Sequence, residues 1–272
     1  MLVIGRRRVG DGIRAVAALL VAATVAACGS SSSATPATIY ITPPPATLAP
    51  GATPTAAPSA ADISSTIIST SAPDGRWTVI FKKPVVGGIS SDATSKINDA
   101  ITAKVNGYIS SFTSGSLPAV ASGQGPSTLD GNFSIALNSQ GIISLRFTIL
   151  TYTSGAAHPN SAAASANFAA SSGAAVALGD VFTNTSDAVK VLTDKAHSTL
   201  SASLGSDLNW PSSSIDVSFF EPAWAVTTAG LEFTWNQGQI GSSAAGAPSA
   251  VVSWADLKSV IKPDGPLAGF VG

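Results

Sequence analysis

Residues 130–182 alternate apolar and polar side chains over three segments, and this alternation constrains the fold more than any other feature of the chain. Successive side chains of a β-strand point to opposite faces, so a period of two is typical of strands that are buried on one face. The turn sequence Asn138-Ser-Gln-Gly141 separates the first two segments. The stretch therefore predicts an antiparallel scaffold. Its apolar positions are Phe133, Ile135 and Leu137, then Ile143, Leu145, Phe147 and Ile149, then Ala164, Ala166 and Phe168.

The turn between the second and third segments reads Tyr152-Thr-Ser-Gly-Ala-Ala-His158-Pro-Asn160. A histidine at the tip of a turn can act as a base, a ligand or a hydrogen-bond anchor. It can equally be structural, with its ring holding the turn together. Because the sequence pairs no second titratable group with His158, the structural role is favoured over catalysis. Tyr152, His158 and Asn160 are candidate binding residues, and His158 is the one candidate for catalysis.

Two strands and a helix are predicted before this stretch. Residues 63–70 and 76–83 alternate like strands, and Pro73-Asp74-Gly75 between them favours a hairpin. A helix then opens at Ser91-Asp92, with Ser91 as its N-cap, and ends at Gly115. Its apolar residues recur every three or four positions, which predicts one buried stripe lying across the sheet. They are Ile97, Ile101, Val105, Tyr108, Ile109 and Phe112.

A second helix, a hairpin and a short helix are predicted after this stretch. Thr185 or Ser186 is the predicted N-cap of the second helix, which Gly205 ends. Residues 224–235 read as two short strands around a turn, and Ser253 caps the last helix. The complete prediction is an α+β fold in which antiparallel β-sheets pack against two longer helices and one short C-terminal helix.

The N-terminal residues predict export. Four arginines within residues 6–14 precede an apolar run over residues 15–27. The run is too short to cross a bilayer as a helix, which needs about 20 apolar residues, so it is typical of a signal peptide. Val25-Ala-Ala-Cys28-Gly29 resembles a bacterial lipobox, although an ordinary signal with an incidental cysteine is the alternative. We predict that residues 1–27 are removed and that lipid on Cys28 anchors the protein to the outer face of the cell membrane.

Residues 28–61 are predicted to form a disordered spacer. They contain a serine run and seven prolines among alanine and threonine, and they carry no charge. Such a segment buries too little apolar surface to offset the entropy of ordering it. Residues 62–272 then form the folded α+β part, either as one domain or as two subdomains, 62–128 and 129–272.

Composition and motifs narrow the function classes. Removal of residues 1–27 takes away four arginines and Asp11, which changes the formal net charge from −1 to about −4. This charge argues against nucleic acid as a partner and against a polybasic membrane surface. With two histidines and scattered acidic residues, the chain predicts no metal site and no cofactor. The Gly-x-Ser-x-Gly elbow of serine hydrolases and the phosphate-binding glycine loops are also missing.

Tryptophans are candidate ligand-binding groups, and glutamates are candidate catalytic groups. Aromatic faces suit glycans and lipids, but most of the five tryptophans lie on predicted apolar faces and belong to the core. Trp210 lies in a loop beside Pro211, so it is the candidate binding residue at the surface. A glycosidase needs two facing carboxylates, whereas Glu232, one of only two glutamates, alternates outward on its strand and is predicted to be solvated.

The order of these elements resembles the extracellular domain of RsiV-type, lysozyme-binding anti-sigma factors, which also occurs in a secreted immunogenic antigen of mycobacteria. The motif from Tyr152 through Gly155, His158 and Asn160 to Leu178-Gly-Asp-Val-Phe182 carries the resemblance. The family's Gly-Gly-Ala-His is here Gly155-Ala-Ala-His158. The runs 233–240 and 251–257 are similar to the tail of the antigen, and the resemblance covers roughly residues 62–262. It implies an α+β fold with antiparallel sheets backed by helices.

The resemblance also implies functional expectations. One branch of the family binds lysozyme, and a cell-wall esterase activity has been suggested for relatives. This chain departs from the pattern at Gln239 and Ser243, where acidic residues are expected, and it has neither an anti-sigma segment nor a transmembrane helix. We therefore expect a lipid-anchored envelope protein that binds a protein, a wall component or a lipid. The alternative is a weak cell-wall esterase or hydrolase that uses His158.

Overall fold

The computed structural model describes residues 60–272, which form two β-sheets, two long helices and a four-residue helix near the C-terminus. The predicted α+β fold class is confirmed. The predicted signal peptide, Cys28 and all of the predicted spacer except Ala60 and Ala61 lie outside the described residues. Ala61 is buried, and its main-chain N–H and C=O both bond the side-chain amide of Asn138, at 3.0 and 2.7 Å.

The first sheet has five strands, whose order in space is their order in the chain. All neighbouring pairs are antiparallel except β2 and β3, which run parallel. The parallel pair follows from the helix between these strands, which returns the chain to the end of the sheet where β2 began. The strands are β1 (Asp62–Ser71), β2 (Trp77–Gly87), β3 (Ser127–Ser139), β4 (Ile142–Tyr152) and β5 (Asn160–Ala169).

The pairing of β2 with β3 is short and ends where Phe81 lies beside Gly131. A Cβ atom at position 131 would overlap the Phe81 ring, so only glycine lets the two strands approach this closely. Beyond this point the strands separate. The main chain of Val86 on β2 instead bonds the side chain of Asn98, at 2.9 and 2.8 Å.

Helix α1 (Ser91–Thr113) covers one face of the first sheet with the predicted apolar stripe. Ile97, Ile101 and Val105 are fully buried, and the Tyr108 ring is stacked 6.5 Å from that of Phe81. The predicted N-cap, Ser91, is wrong by one residue. The hydroxyl of Ser90 accepts the Ala93 N–H at 3.3 Å, because Ser91 already has helical geometry.

Helix α2 (Thr185–Leu204) begins after a short 3₁₀ turn over Leu178–Val181. Its predicted caps, Thr185 and Ser186, are wrong. The side chain of Asn184 accepts the N–H groups of Ser186 at 2.9 Å and Asp187 at 3.2 Å. Asparagine is as good a cap as serine, and the sequence alone could not rank adjacent candidates. Gly205 ends the helix as predicted.

The second sheet is antiparallel and has three strands, β6 (Trp224–Val226), β7 (Gly230–Thr234) and β8 (Ser249–Ser253). The short helix α3 (Trp254–Leu257) follows directly. Ser253 is its cap, as predicted, and the hydroxyl accepts the Asp256 N–H at 3.2 Å. Trp235 lies just beyond β7, yet it is almost completely buried.

The apolar core falls into two clusters. The first joins β1–β5 to α1 and contains Phe81, Leu145 and Phe147, while the second joins α2 to the second sheet and the C-terminal residues. A buried polar network connects them. Ser144 Oγ donates to Asn167 Oδ1 at 2.6 Å and accepts the Val226 N–H at 2.9 Å, and Asn167 Nδ2 donates to the Trp224 carbonyl at 2.9 Å.

Glu232 corrects the sequence interpretation. It was predicted to be solvated, but its carboxylate forms an ion pair with Arg146 of β4, and its side chain is only 19% exposed. The alternation was read correctly, since Glu232 does point away from the second core cluster. That face of the second sheet lies partly against the first sheet, which shields Glu232, whereas its neighbour Val251 on β8 is 42% exposed.

Candidate binding site

The predicted histidine turn connects β4 to β5 and is built as a compact structural element. Gly155 has a φ of +86°, which favours glycine, and the Ala156 N–H bonds the Thr153 carbonyl at 2.9 Å. The N–H of the buried Ser154 bonds the Ser127 hydroxyl at 2.9 Å, which fixes the turn to the start of β3.

His158 is exposed in this turn. Its Nδ1 lies 3.1 Å from the carbonyl oxygen of Pro159, the neighbouring residue, and that is its hydrogen-bond contact with the described chain. Tyr152 is half-buried at the end of β4, and Asn160 is exposed at the start of β5. The structure does not bring these three residues together with Trp210, which lies in the loop after α2. The geometry therefore favours the turn as a structural element.

A more prominent surface is the face of the first sheet that α1 does not cover. Three large apolar side chains are exposed there, Ile67 by 69%, Ile80 by 52% and Leu150 by 42%. Strand register places Ile80 beside Asp130 and Asp130 beside Leu150, and pairs Ile67 with Lys82. We call these three apolar residues and their neighbours Lys82, Asp130, Asn132, Phe133 and Thr148 the open sheet face.

The open sheet face is concave. It encloses a cavity of about 530 Å³ that these residues line together with Gly131 and Ser134. Lys82 Nζ lies 5.7 Å from the centre of the Phe133 ring, a cation–π distance. The cavity lies where β2 and β3 separate after Phe81 and Gly131. An apolar hollow with one lysine and one aspartate at its rim is suited to bind a partner of mixed character.

The sequence contained a signal for this surface that was missed. Ile80 and Leu150 stand at positions where the alternation of β2 and β4 calls for polar residues. An apolar residue on the polar face of a strand is ordinary when single. Two of them on different strands become a patch only when those strands are placed next to the same neighbour, β3, and this pairing was not predicted.

The Trp210 pocket is a second hollow, between α2 and the loop after it. Its volume is about 530 Å³, and it is lined by Trp210 and Pro211 from the loop and by Thr193, Asp194 and His197 from α2, with Val189, Lys190, Ser213 and Ile215. Trp210 is half-buried, with its ring 5.5 Å from His197, 5.3 Å from Phe219 and 5.7 Å from Trp235. His197 is exposed, and its ring contacts that of Trp210 edge-on, a contact that the sequence does not predict.

A smaller groove of about 350 Å³ beside β5 is lined in part by Lys104 of α1. Burial lowers the pKa of its ammonium group. Glu221, across the groove, accepts the Leu178 N–H at 3.2 Å. Within residues 60–272 there is no group of three potential metal-ligating side chains, and none of the helices there is long and apolar enough to cross a membrane.

Comparisons with known proteins identify a family match in the C-terminal part of the chain. Residues 179–255 match the family described as "Protein of unknown function (DUF3298)". This range contains α2 and the second sheet, and it ends within α3. No curated protein matches the chain by sequence. The C-terminal part of this chain therefore contains a DUF3298 region.

Two crystal structures of DUF3298 family proteins share the architecture. One, from Pseudomonas aeruginosa PAO1, has a TM-score of 0.55 at 12% identity and covers 75% of this chain and 95% of its own. The other, from Bacteroides fragilis, has a TM-score of 0.51 at 14% identity and covers 78% and 97%. At these identities the likeness concerns the fold. The resemblance to lysozyme-binding anti-sigma domains stays a prediction.

Proposed function

We propose that this protein is a lipid-anchored component of the cell envelope that binds a protein partner through the open sheet face and the adjoining edge of β1. The observation that carries the proposal is the exposure of Ile67, Ile80 and Leu150 around one concavity. Contiguous apolar surface on an otherwise soluble domain marks an interaction site more often than isolated apolar residues do.

The outer edge of β1, which pairs with no other strand in residues 60–272, supplies the second part of the surface. β1 is an edge strand with an unbroken register to β2, and beyond Asp62 it has no charged residue and no proline. The Ala72 N–H bonds the Trp77 carbonyl. Antiparallel alternation then directs the main-chain groups of Ile67 and Ser69 away from β2. An extended segment of a partner can pair with these groups and cover Ile67 and Ile80 with its alternate side chains.

The sequence of the N-terminal residues supports the envelope location. A basic region, an apolar run and a cysteine at its end occur in the order of a lipoprotein signal. A proline-rich spacer of residues 28–61 can extend by about 3.1 Å per residue in polyproline II form. A partner-binding domain at the end of such a spacer reaches molecules about 100 Å from the membrane surface.

The alternative function, an esterase that uses His158, has no specific support in the geometry. A nucleophile must lie within hydrogen-bond reach of its base. The His158 ring meets a backbone carbonyl oxygen, which can accept a hydrogen bond but cannot serve as a nucleophile.

Site-directed photo-crosslinking in intact cells tests the binding function. A photo-reactive amino acid replaces Ile80 in the full-length protein, and Val251, which is 42% exposed on β8, is the matched control. We expect a discrete adduct with one envelope protein from position 80 and none from position 251, with mass spectrometry locating an extended segment. Purified lysozyme is tested in parallel. Equal labelling from both positions, or adducts with lipid alone, would contradict a protein partner.

The proposed lipid anchor is tested separately, because it can be wrong even if the proposed binding surface is correct. Replacement Cys28→Ala is expected to release the protein from the membrane fraction into the medium, since acyl chains contribute about 0.8 kcal/mol for each buried methylene. The measurement is immunoblotting of membrane and medium fractions. Unchanged membrane association of Cys28→Ala would show that the lipid is not the anchor.

A further inference from the structure

We infer that the Trp210 pocket binds a neutral saccharide, with one sugar ring against the Trp210 indole and its hydroxyl groups bonded by Thr193, Asp194 and His197. This site lies on a different part of the chain from the open sheet face, and the inference does not depend on the proposed protein partner. Its volume of about 530 Å³ is within the range of small-ligand sites, about 300–1,000 Å³.

Trp210 is held as a rigid aromatic wall. Its ring makes edge contacts with three other rings, those of His197, Phe219 and Trp235, which fix its orientation. Despite these contacts, the side chain stays half-buried and lines the cavity. An indole presents a large flat apolar surface at little entropic cost, and the apolar C–H face of a pyranose ring is complementary to it.

Thr193 gives an independent reason to expect a ligand. Its hydroxyl oxygen is buried and has no hydrogen-bond partner among the described residues. A hydroxyl can donate one hydrogen bond and accept two, and leaving one unpaired is costly, so an unpaired hydroxyl in a pocket wall calls for a partner. A sugar hydroxyl both donates and accepts, and it would satisfy Thr193 in either direction.

The charges around the pocket select against anions. Lys190 Nζ is engaged by Asp187 at 2.9 Å, which leaves Asp194 as the carboxylate at the rim without an ion-pair partner in the described part of the chain. A phosphate or a carboxylate ligand would meet this negative charge. A neutral polyol can instead donate hydroxyl hydrogens to Asp194, and an acetamido group on the sugar is equally compatible with it.

Calorimetric titration of the full chain, purified in detergent, tests the site. The probes are chitotetraose, cellotetraose and inorganic phosphate. We expect saturable binding of a saccharide and none of phosphate. Trp210→Ala should weaken binding by about tenfold or more, as the loss of one aromatic contact predicts. Saturable binding of phosphate, or no saturable binding of either saccharide, would overturn the inference.

Thr193→Val provides a variant that leaves the fold intact. Valine has the shape of threonine without the hydroxyl, so the thermal midpoint of the free protein should stay the same or rise, whereas saccharide affinity should fall by about fivefold. The matched control is Thr199→Val on the same helix, whose exposed hydroxyl bonds the Lys195 carbonyl and which should leave affinity unchanged. If Trp210→Ala does not fold, Thr193→Val decides. Unchanged affinity in Thr193→Val, or an equal loss in Thr199→Val, would contradict the site.

Discussion

The two edge strands of the first sheet, β1 and β5, have ten residues each, but the part of the chain that the structure describes covers only one of them. Along β5, the Asn236 side chain accepts the Ala163 N–H at 2.8 Å, and Gln237 exchanges bonds with the main chain of Ser161 at 3.0 and 3.2 Å. Along β1, the described residues make hydrogen bonds of this kind only at Ala61, the residue before the strand.

This difference between the two edges shows that the part of the chain with the second sheet protects the β5 edge of the first sheet. The DUF3298 region covers the β5 end of the first sheet with a buried network and two amide side chains, and this covering removes an edge that would otherwise pair with other chains. Within residues 60–272 nothing comparable protects β1, which beyond Asp62 lacks the charges, prolines and bulges that edge strands usually carry. An exposed edge beside an apolar face is what a strand-addition site requires.

The largest expected effect comes from breaking the network that joins the two sheets. Asn167→Ala removes the donor to the Trp224 carbonyl and one partner of Ser144, both buried. We expect the free energy of unfolding to fall by about 2–3 kcal/mol, measured by urea denaturation. Asn132→Ala, on the open face of the same sheet, is the matched control and should change stability by less than about 0.5 kcal/mol. Similar losses in both variants would mean that the two ends of the sheet do not differ.

The second effect concerns the cover of the β5 edge. The double replacement Asn236→Ala and Gln237→Ala removes the acceptors of the Ser161 and Ala163 N–H groups, which should lower stability by about 1–2 kcal/mol and increase self-association. Sedimentation velocity at several concentrations measures the association. A variant that stays as monodisperse as the wild type would show that the amide cover does not protect the edge.

The third effect tests the uncovered edge directly. Ile67→Lys places a charge on β1 where the side chain is already 69% exposed, so stability should change by no more than about 0.5 kcal/mol. Binding of the partner identified by crosslinking should fall by at least about tenfold, because edge lysines oppose strand pairing. Surface plasmon resonance with that partner is the measurement. Unchanged affinity would remove the β1 edge from the proposed interface.

The smallest effect is a dependence on acid that arises within the covering part. A hydrogen bond from Lys195, 2.6 Å away, and a second from Ser253 hold the pKa of Asp256 below its usual value. A carboxyl group with a lowered folded-state pKa stabilises the fold above its unfolded pKa of about 3.9, and this stability is lost as the pH falls through the folded pKa. Asp256 links α3 to α2, so acid should weaken the contact between these two helices.

Thermal unfolding at about pH 6 and about pH 3 measures this dependence. The drop in midpoint should be slightly smaller in Asp256→Asn than in the wild type, because asparagine does not titrate. An identical drop in both proteins would show that Asp256 contributes nothing to the pH dependence.

Much of the fold could be predicted from local patterns. The alternation of Ile143, Leu145 and Phe147 and the stripe of Ile97, Ile101 and Val105 placed these residues in the core correctly. The glycine turn before His158 and the Ser253 cap were also read correctly. The candidate site was harder to predict from the sequence. Ile80 and Leu150 form a patch only because β3 lies between their strands and sets their register.

The sequence by itself determined which residues form strands and helices and which side of each faces the core, because side-chain direction repeats every two or 3.6 residues whatever the rest of the chain does. Only the tertiary structure decided that β2 and β3 run parallel, that Glu232 pairs with Arg146 from 86 residues away, and that Trp210 meets His197. Such contacts depend on how whole strands and helices pack against one another. The spacing of apolar residues within one strand or helix does not specify which other element its outward face will contact.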